Sequence, residues 1–378
     1  MVWKGQRKVE TRLWYFRYTP AKIWGAVNAI EPASRGAILV TGLSGNLGRR
    51  LAPHLKESLL VGVDLFAPTL DHPRVQFCAL DISQPTAPAE LEGLMREAQV
   101  RQVVHLAFVL DPARTGALEA RRQWEINVRG TQHVLDAVEH VNHPQRQVEF
   151  FFYLSSATSY GPLLPYPVPE EHPQQPHTYT YALHKKETEE MCRARHPQLN
   201  GCAVYIVRGH IFVGAGVENF IVRALRGRAS DRTWLGRWVQ RRGWRLPLLL
   251  PRGEEYRGRY QFMHIDDAAR LIAWLCQHYE PGKLMILNAQ GRGAPLTGDD
   301  CARLAGLRLL RLPSYALVGL LYRLVWALGV SPVPPDAFPY FAGSYVMNTE
   351  RLERLLGSEY PRIIQFTTEA ALQETVSH

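Results

Sequence analysis

The stretch TYTYALHKKETEE, Thr178 to Glu190, places Tyr181 four residues before Lys185. On a helix that spacing puts a phenol and an ammonium on one face. The ammonium favours the phenolate, so such a pair can move a proton near neutral pH. The same spacing also occurs on ordinary surface helices, and spacing alone does not separate the two cases. Tyr179 lacks such a partner, because Leu183 stands four residues after it. A second chemical signal is AILVTGLSGNLGRRL, where Gly42, Gly45 and Gly48 lie between an apolar run and a helical one. Glycines there let the backbone approach a pyrophosphate, and Asn46 and Leu47 open a helix whose N–H groups face the anion. Asp64 closes the next apolar run, LLVGVDL, where a carboxylate accepts from an adenosine ribose diol and repels a 2′-phosphate. This favours NAD over NADP, although Arg49 and Arg50 could pair with a 2′-phosphate. His105, His264 and Asp266 lack metal-ligand spacing and read as packing and hydrogen-bonding groups, so no metal site is expected.

To position these groups the chain has to alternate strands with helices, and from Gly36 it does. AILVTG, LLVGVDL, VQFCALDIS, QVVHLAF, VEFFFYLSSA and CAVYIVRGHIFVG read as buried strands. NLGRRLAPHL, APAELEGLMREAQ, a long run from Ala117 to Val141 and the Tyr181 segment read as the helices between them. YGPLLPYPVPEEHPQQPHT reads as a loop. The expectation is an α/β fold, a doubly wound parallel sheet of Rossmann type, with a smaller and mainly C-terminal substrate-binding lobe. Its boundaries fall at residues 1–35 for a basic, aromatic extension, 36–205 with 256–295 for the nucleotide-binding domain, and 206–255 with 296–378 for the lobe.

The chain has 378 residues, 46% hydrophobic and 21% charged, with a net charge of +9. That length and composition suit a folded protein with a sizeable core. Five scattered cysteines with no CxxC imply neither a disulfide framework nor a zinc site, and point to a reducing, cytoplasmic setting. The N-terminal MVWKGQRKVETRLWYFRYTP has no apolar core of a secretory signal. Tyr315 to Val330 is the most apolar stretch, too short to span a bilayer and interrupted by Arg323, so it reads as a buried or interfacial helix. Val222 to Leu246 carries eight arginines, three tryptophans and one acid. A solvated loop over the cleft, a clamp for an anionic substrate and a membrane-surface patch are its readings. Peripheral membrane contact stays open without being favoured, and nucleic acid is not expected, because no nucleic-acid module is present.

Several of these segments, in this order, resemble the extended short-chain dehydrogenase/reductase family, the NAD-dependent epimerase/dehydratase group. TGLSGNLG matches its TGxxGxxG loop, NVRGT its structural asparagine, YLSSATSYG its catalytic Ser or Thr, YALHK its Tyr and Lys, and FMHIDDAAR a late F-x-H-x-D-D segment. The resemblance spans about residues 36 to 300. It implies Ser156, Tyr181 and Lys185 as catalytic groups, and Asp81, Ile82, Leu106, Ala107 and Asn127 beside the cofactor with the glycine loop. Thr158 and Arg259 become candidate substrate contacts. Two departures stand out. VRGHIF, with Gly209 and His210, replaces the usual Arg-Pro, and Tyr260 stands where nucleotide-sugar enzymes carry an arginine for a diphosphate.

The implied chemistry follows. Tyr181, as phenolate, takes a hydroxyl proton while a hydride leaves the same carbon for the nicotinamide. Lys185 lowers the tyrosine's pKa and holds the nicotinamide ribose, and Ser156 orients the substrate oxygen. The leading expectation is an NAD-dependent oxidoreductase acting on a secondary alcohol or ketone, with a hydrophobic, steroid- or isoprenoid-like substrate. The alternative is a nucleotide-sugar epimerase, dehydratase or reductase working through a transient ketone. Another class is a cofactor-binding sensor or assembly protein without turnover. A homodimer through the helices around Trp124 and Glu187 is implied by the resemblance.

Overall fold

β1 (Ala37–Thr41) is buried along its whole length. Ile38 and Val40 enter one apolar layer and Ala37 and Leu39 the other. A strand covered on both faces has to be apolar at every position, which is why AILVT shows no alternation. β2 (Leu59–Asp64), β3 (Val75–Ala79), β4 (Val100–His105), β5 (Phe150–Ser156) and β6 (Ala203–Gly209) follow in chain order. β7 (Ile211–Val213), β8 (Leu248–Pro251), β9 (Arg259–Tyr260) and β10 (Phe262–His264) leave the main sheet, and β11 (Leu284–Ala289) rejoins it. β12 (Leu296–Thr297) and β13 (Leu309–Leu312) lie in the C-terminal region. This computed structural model describes residues 36–377 apart from 71, 111–119, 163, 165–166 and 257, so the expected extension at 1–35 lies outside the described residues.

The main sheet has seven strands in the order β11-β6-β5-β4-β1-β2-β3. Every neighbouring pair is parallel. The helices Ala87–Glu97, Gly130–Val141 and Thr180–Arg195 cover one face with Leu91, Met95, Val134, Val138 and Cys192. The helices Asn46–Leu51 and Ile265–Leu275 cover the other. The order in which strands are added reverses between β1 and β4, where a doubly wound sheet leaves a crevice at its carboxyl edge. All the strong chemical signals of the sequence sit on that edge. The α/β doubly wound class is therefore the observed one, with a smaller C-terminal region added to the sheet.

CAVYIVRGHIFVG is one run in the sequence and two strands in the protein. His210 interrupts it: its N–H donates to Ala289 O at 3.0 Å, and its ring bonds Tyr345 O at 2.6 Å. β7 then pairs with β10 in a separate parallel sheet. The arginine-rich stretch is not a plain loop either. Its first residues belong to the helix Phe220–Leu225, where the sequence ENFIVRAL has helical character, and Trp234–Arg241 is a further helix within it, capped by Thr233 Oγ1, which accepts from Gly236 N at 3.2 Å. Tyr315–Ala327 is the expected apolar helix, but only Val318 on it is fully buried. The reading of it as interfacial therefore describes it better than the reading as buried. No helix among the described residues is long and apolar enough to cross a membrane.

Candidate active site

The glycine loop joins β1 to the helix Asn46–Leu51, and its shape explains its composition. Gly42 has φ +74°, and a Cβ there would sit 2.7 Å from Ala107 N. A Cβ on Gly48 would sit 2.6 Å from the carbonyl oxygens of Gly42 and Leu43. Leu43, fully buried, fills the space over Gly62 of β2, where any side chain would collide with it. The loop is thus anchored on the sheet by one leucine, a burial that stabilises by about 1.5–3 kcal/mol. The helix that follows starts at Gly45 with no side-chain cap, leaving its first N–H groups for a ligand. We expect Gly42→Ala to abolish nucleotide binding, since it adds both a disfavoured φ and a backbone collision; isothermal titration with NADH reads this directly.

Asp64 ends β2 facing the loop. Its carboxylate accepts from Ser44 N at 3.0 Å and from Leu65 N at 2.7 Å. Each oxygen retains a lone pair for a further donor. Arg50 is turned away from the loop: its Nε lies 3.1 Å from Asp266, and Nη2 donates to Ala215 O. Arg49 is exposed. Asn46 Nδ2 donates to Gly216 O at 3.0 Å, so residues 215–216 lie over the first turn of this helix. The same segment is gripped from the C-terminal side, where Thr375 Oγ1 accepts from Gly214 N at 2.7 Å and Glu374 from Ala215 N at 3.1 Å. Asp81 is engaged by Ser83 (N at 3.0 Å, Oγ at 2.6 Å), Gln84 and Arg122. Ile82 is buried beneath Gly130.

A relay fixes the end of β4. Thr41 Oγ1 accepts from Leu106 N and Ala107 N, each at 3.2 Å, so its own proton goes to His105 Nδ1 at 2.7 Å. His105 then donates from Nε2 to Thr131 Oγ1 at 2.9 Å, and Thr131 donates to Asn127 O at 2.6 Å. Burial, reinforced by the charge of Lys185, pushes the His105 pKa down to about 3, which keeps the ring neutral as the relay requires. His105 is therefore a hydrogen-bonding group, as its sequence context suggests. His264 likewise caps its helix, accepting from Asp266 N at 3.2 Å, and stacks on Phe366 with ring centroids 3.7 Å apart. Asn127 is completely buried in a π-helical turn, Glu125–Arg129. Its amide clasps Val109, accepting from N at 2.7 Å and donating to O at 3.0 Å, and reaches His184 at 3.3 Å. A π turn costs helical regularity, and here it aims a buried amide at the β4 loop.

Ser156, Tyr181 and Lys185 converge at the carboxyl end of β5. Ser156 Oγ accepts from Thr158 N at 3.2 Å and Thr158 Oγ1 at 2.9 Å, and it lies close enough to the Tyr181 hydroxyl to act on its pKa. Lys185 is buried; its Nζ donates to Leu154 O at 2.5 Å and lies 3.5 Å from the centre of the Phe108 ring. That contact has the form of a cation–π interaction. Burial pushes Tyr181 up to about 12, opposed by the Ser156 hydroxyl, and pushes Lys185 well below its ordinary value. The expectation that the lysine draws the tyrosine down is thus not what dominates; burial acts on both groups against their charged forms. Tyr179, the decoy, packs against Tyr181 with ring centroids 5.7 Å apart and continues into Phe220 and Tyr340. Together with Phe108 these rings make the wall beside Tyr181 aromatic. Arg259 lies exposed on β9, its carbonyl accepting from Tyr345 N at 2.6 Å. Tyr260 is buried with its hydroxyl on Phe341 O.

Sequence reasoning missed the support beneath this trio. Glu189 and Arg208 form a buried ion pair, 0% and 2% exposed, joined by Nη2–Oε1 at 2.5 Å and by Nε at 3.1 Å. Ser155 Oγ donates to Glu189 at 2.6 Å, and Arg208 also reaches Tyr160 and Glu170 O. The available signal was Glu189 at four residues past Lys185, on the same helical face.

A Rossmann-type sheet carrying a glycine loop, an acid at the end of β2 and a Ser–Tyr–Lys cluster at the end of β5 has the layout of the extended short-chain dehydrogenase/reductase class. The chain belongs to the NAD dependent epimerase/dehydratase family, whose profile matches residues 38–288. It is an enzyme of that family, whose members use NAD(P). Solved structures of similar fold include DesIV, a dTDP-glucose 4,6-dehydratase from Streptomyces venezuelae with NAD and TYD bound. It is 20% identical with a TM-score of 0.64, covering 90% of this chain and 96% of that one. WbmH of Bordetella bronchiseptica, in complex with NAD+, is 19% identical with a TM-score of 0.61, covering 90% and 97%. The UDP-glucose 4-epimerase of Thermus thermophilus, complexed with NAD, is 17% identical with a TM-score of 0.62, covering 90% and 98%.

Proposed function

We propose that this enzyme oxidises a secondary alcohol of its substrate to a ketone, using NAD held on the glycine loop. The observation that carries this is the convergence of Ser156, Tyr181 and Lys185 where the carboxyl end of β5 meets the loop after β4. The residues present fit the dinucleotide: a Cβ would block Gly42 and Gly48, the helix after the loop lacks a side-chain cap, and Asp64 has spare acceptor capacity. When bound, the cofactor supplies a hydride acceptor and a positive ring. Gly42, Gly45, Asn46, Leu47 and Gly48 would hold the pyrophosphate, Asp64 the adenosine ribose, and Asp81 and Ile82 the adenine side. Leu106, Ala107 and Asn127 would shape the nicotinamide side. Tyr181 Oη takes the substrate's hydroxyl proton, Ser156 Oγ donates to the developing oxygen, and Lys185 Nζ, beside Leu154 O, holds a ribose hydroxyl. Thr158, bonded to Ser156, keeps that hydroxyl aimed.

For the substrate, the fold relatives favour a nucleotide sugar, converted through a transient ketone. This was the alternative reading of the sequence, and the named activities of the neighbours support it over the hydrophobic one. The second reading, an apolar alcohol, is favoured by the aromatic wall of Phe108, Tyr179, Phe220 and Tyr340 and by buried Tyr260 in place of a diphosphate-gripping arginine. The substrate would sit between the sheet edge and the lobe formed by 206–255 and 296–378, with Arg259 at its rim. Heating the purified protein and identifying any released nucleotide tests the reading. Tightly retained NAD supports the transient-ketone route; a site that binds neither NADH nor NADPH overturns the proposal.

Asp64 makes a separate prediction. We expect NADH to bind at least tenfold more tightly than NADPH, because the carboxylate repels a 2′-phosphate and Arg50 is committed to Asp266 and Ala215. Asp64→Ala should narrow that ratio in a fluorescence titration. The helices carrying Trp124 and Glu187 lie side by side, with Trp124 Nε1 donating to Glu187 at 3.2 Å, and we propose them as a homodimer face.

A further inference from the structure

One surface is left over by the reaction. On the helix Tyr315–Ala327 and just past it, Leu317, Leu320, Leu324 and Leu328 are 38%, 52%, 51% and 55% exposed. Steps of three and four residues put them in one stripe. An exposed leucine stripe is unusual for a helix packed on a domain. Beside it, the helix Trp234–Arg241 and the turn after it expose Trp234 by 71%, Trp238 by 38% and Trp244 by 58%. The two elements form one unit. Thr233 Oγ1 donates to Leu328 O at 3.0 Å, a Cβ on Gly236 would meet Gly329 O at 2.5 Å, and Arg232 lies over the Trp326 ring at 4.2 Å.

Charge is as one-sided as polarity. Residues 232–253 contain six arginines and no acid, and residues 301–335 contain no acid and four arginines, of which Arg303 and Arg311 are paired with Asp300 and Asp299. Asp231, at the edge, is paired with Arg223 at 3.2 Å. Among the described residues, Arg237, Arg241, Arg242 and Arg323 pair with no carboxylate. Exposed leucine and tryptophan interleaved with unneutralised arginine complement a lipid surface whose interior is apolar and whose headgroups are anionic. Tryptophan and arginine both suit that boundary, with apolar bodies and polar ends. A nucleic acid would use the arginines and leave the leucines wet; a second copy would meet like charge.

We propose that this face docks the enzyme on an anionic lipid bilayer, with the leucine stripe and Trp234, Trp238 and Trp244 in the headgroup boundary. The docked face connects to the site: Tyr315 and Tyr322 pack on Phe338, which begins the short helix carrying Tyr340, the ring against Tyr179. The test is cosedimentation of the full-length protein with vesicles of phosphatidylcholine and phosphatidylglycerol in about equal amounts, against phosphatidylcholine alone. Binding is expected to the anionic vesicles, falling with salt, each arginine near the surface contributing roughly fivefold to partitioning. The double variant Leu320→Glu, Leu324→Glu, at exposed positions, should lose at least tenfold in binding while NADH affinity stays unchanged. Quenching of tryptophan emission by brominated lipid should be strong in the wild type and weak in a Trp234→Ser, Trp238→Ser variant. Equal sedimentation of wild type and leucine variant, or none with anionic vesicles, overturns the proposal. So does a wild-type dimer that the leucine variant splits, since a second copy would then cover this face.

Discussion

Replacing Tyr181 with phenylalanine is expected to lower turnover by roughly 10²–10⁴-fold while leaving NADH affinity intact. The substitution removes one oxygen at the end of β5 and keeps the ring that packs edge-on against Phe108 at 5.6 Å. Only proton transfer is withdrawn, so the KM for nucleotide should hold and kcat should fall. The pH profile of the wild type carries an independent signature. Burial pushes Tyr181 up to about 12, so the reactive phenolate is the minor form near neutrality. In the oxidative direction the rate should therefore rise about tenfold per pH unit and level off only where Tyr181 titrates in the loaded enzyme. In the phenylalanine variant that slope should vanish. A variant that keeps both the wild-type kcat and the slope would assign the proton to another group.

The second large effect concerns stability. Glu189→Ala leaves Arg208 buried without its counter-charge, and we expect a loss of about 3–5 kcal/mol in urea unfolding. Arg208→Met should cost a comparable amount, because it strips Glu189 of its partner while Ser155 alone remains bonded to it. The double substitution Glu189→Leu, Arg208→Met should recover much of the loss, since breaking a buried pair is far more destabilising than replacing it as a whole. If the double variant is as unstable as the sum of the singles, the pair is not coupled. The functional reading differs from the structural one. Glu189 lies one turn past Lys185 on the same helix, and Ser155 precedes Ser156, so even a folded double variant should show a lowered kcat with nucleotide affinity little changed.

The parts of this protein legible in the sequence are those set by local rules. AILVTG and LLVGVDL read as buried strands because both faces are covered, and the glycine triplet between strand and helix announces its own geometry. The order of YLSSATSYG and YALHK puts the candidate reacting groups at the carboxyl edge of the sheet. What escaped was set by long-range partners. Nothing in VRGHIF says that Arg208 will meet a glutamate from a helix 19 residues earlier. His210 ends a strand because its ring bonds Tyr345 O, 135 residues further on. The arginine-rich stretch reads as a loop because its helix is short and takes its order from Gly329 and Leu328 in another element. The tyrosine's raised pKa also depends on enclosure by groups such as Phe108 and Tyr179, and spacing along one helix carries no information about enclosure.

The grip of Glu374 and Thr375 on Gly214 and Ala215 has a temporal meaning. The glycine loop and its helix are among the first described residues to be synthesised, yet the segment lying over that helix is held by residues about 160 positions later in the chain. At roughly 5–20 residues per second, the roughly 330 residues between the loop and Thr375 leave a growing chain with an uncovered nucleotide loop for about 15–65 seconds before the clasp can form. A cofactor that arrives during that interval meets a bare loop; one that arrives afterwards meets a helix whose first turn is already covered by residues 215–216.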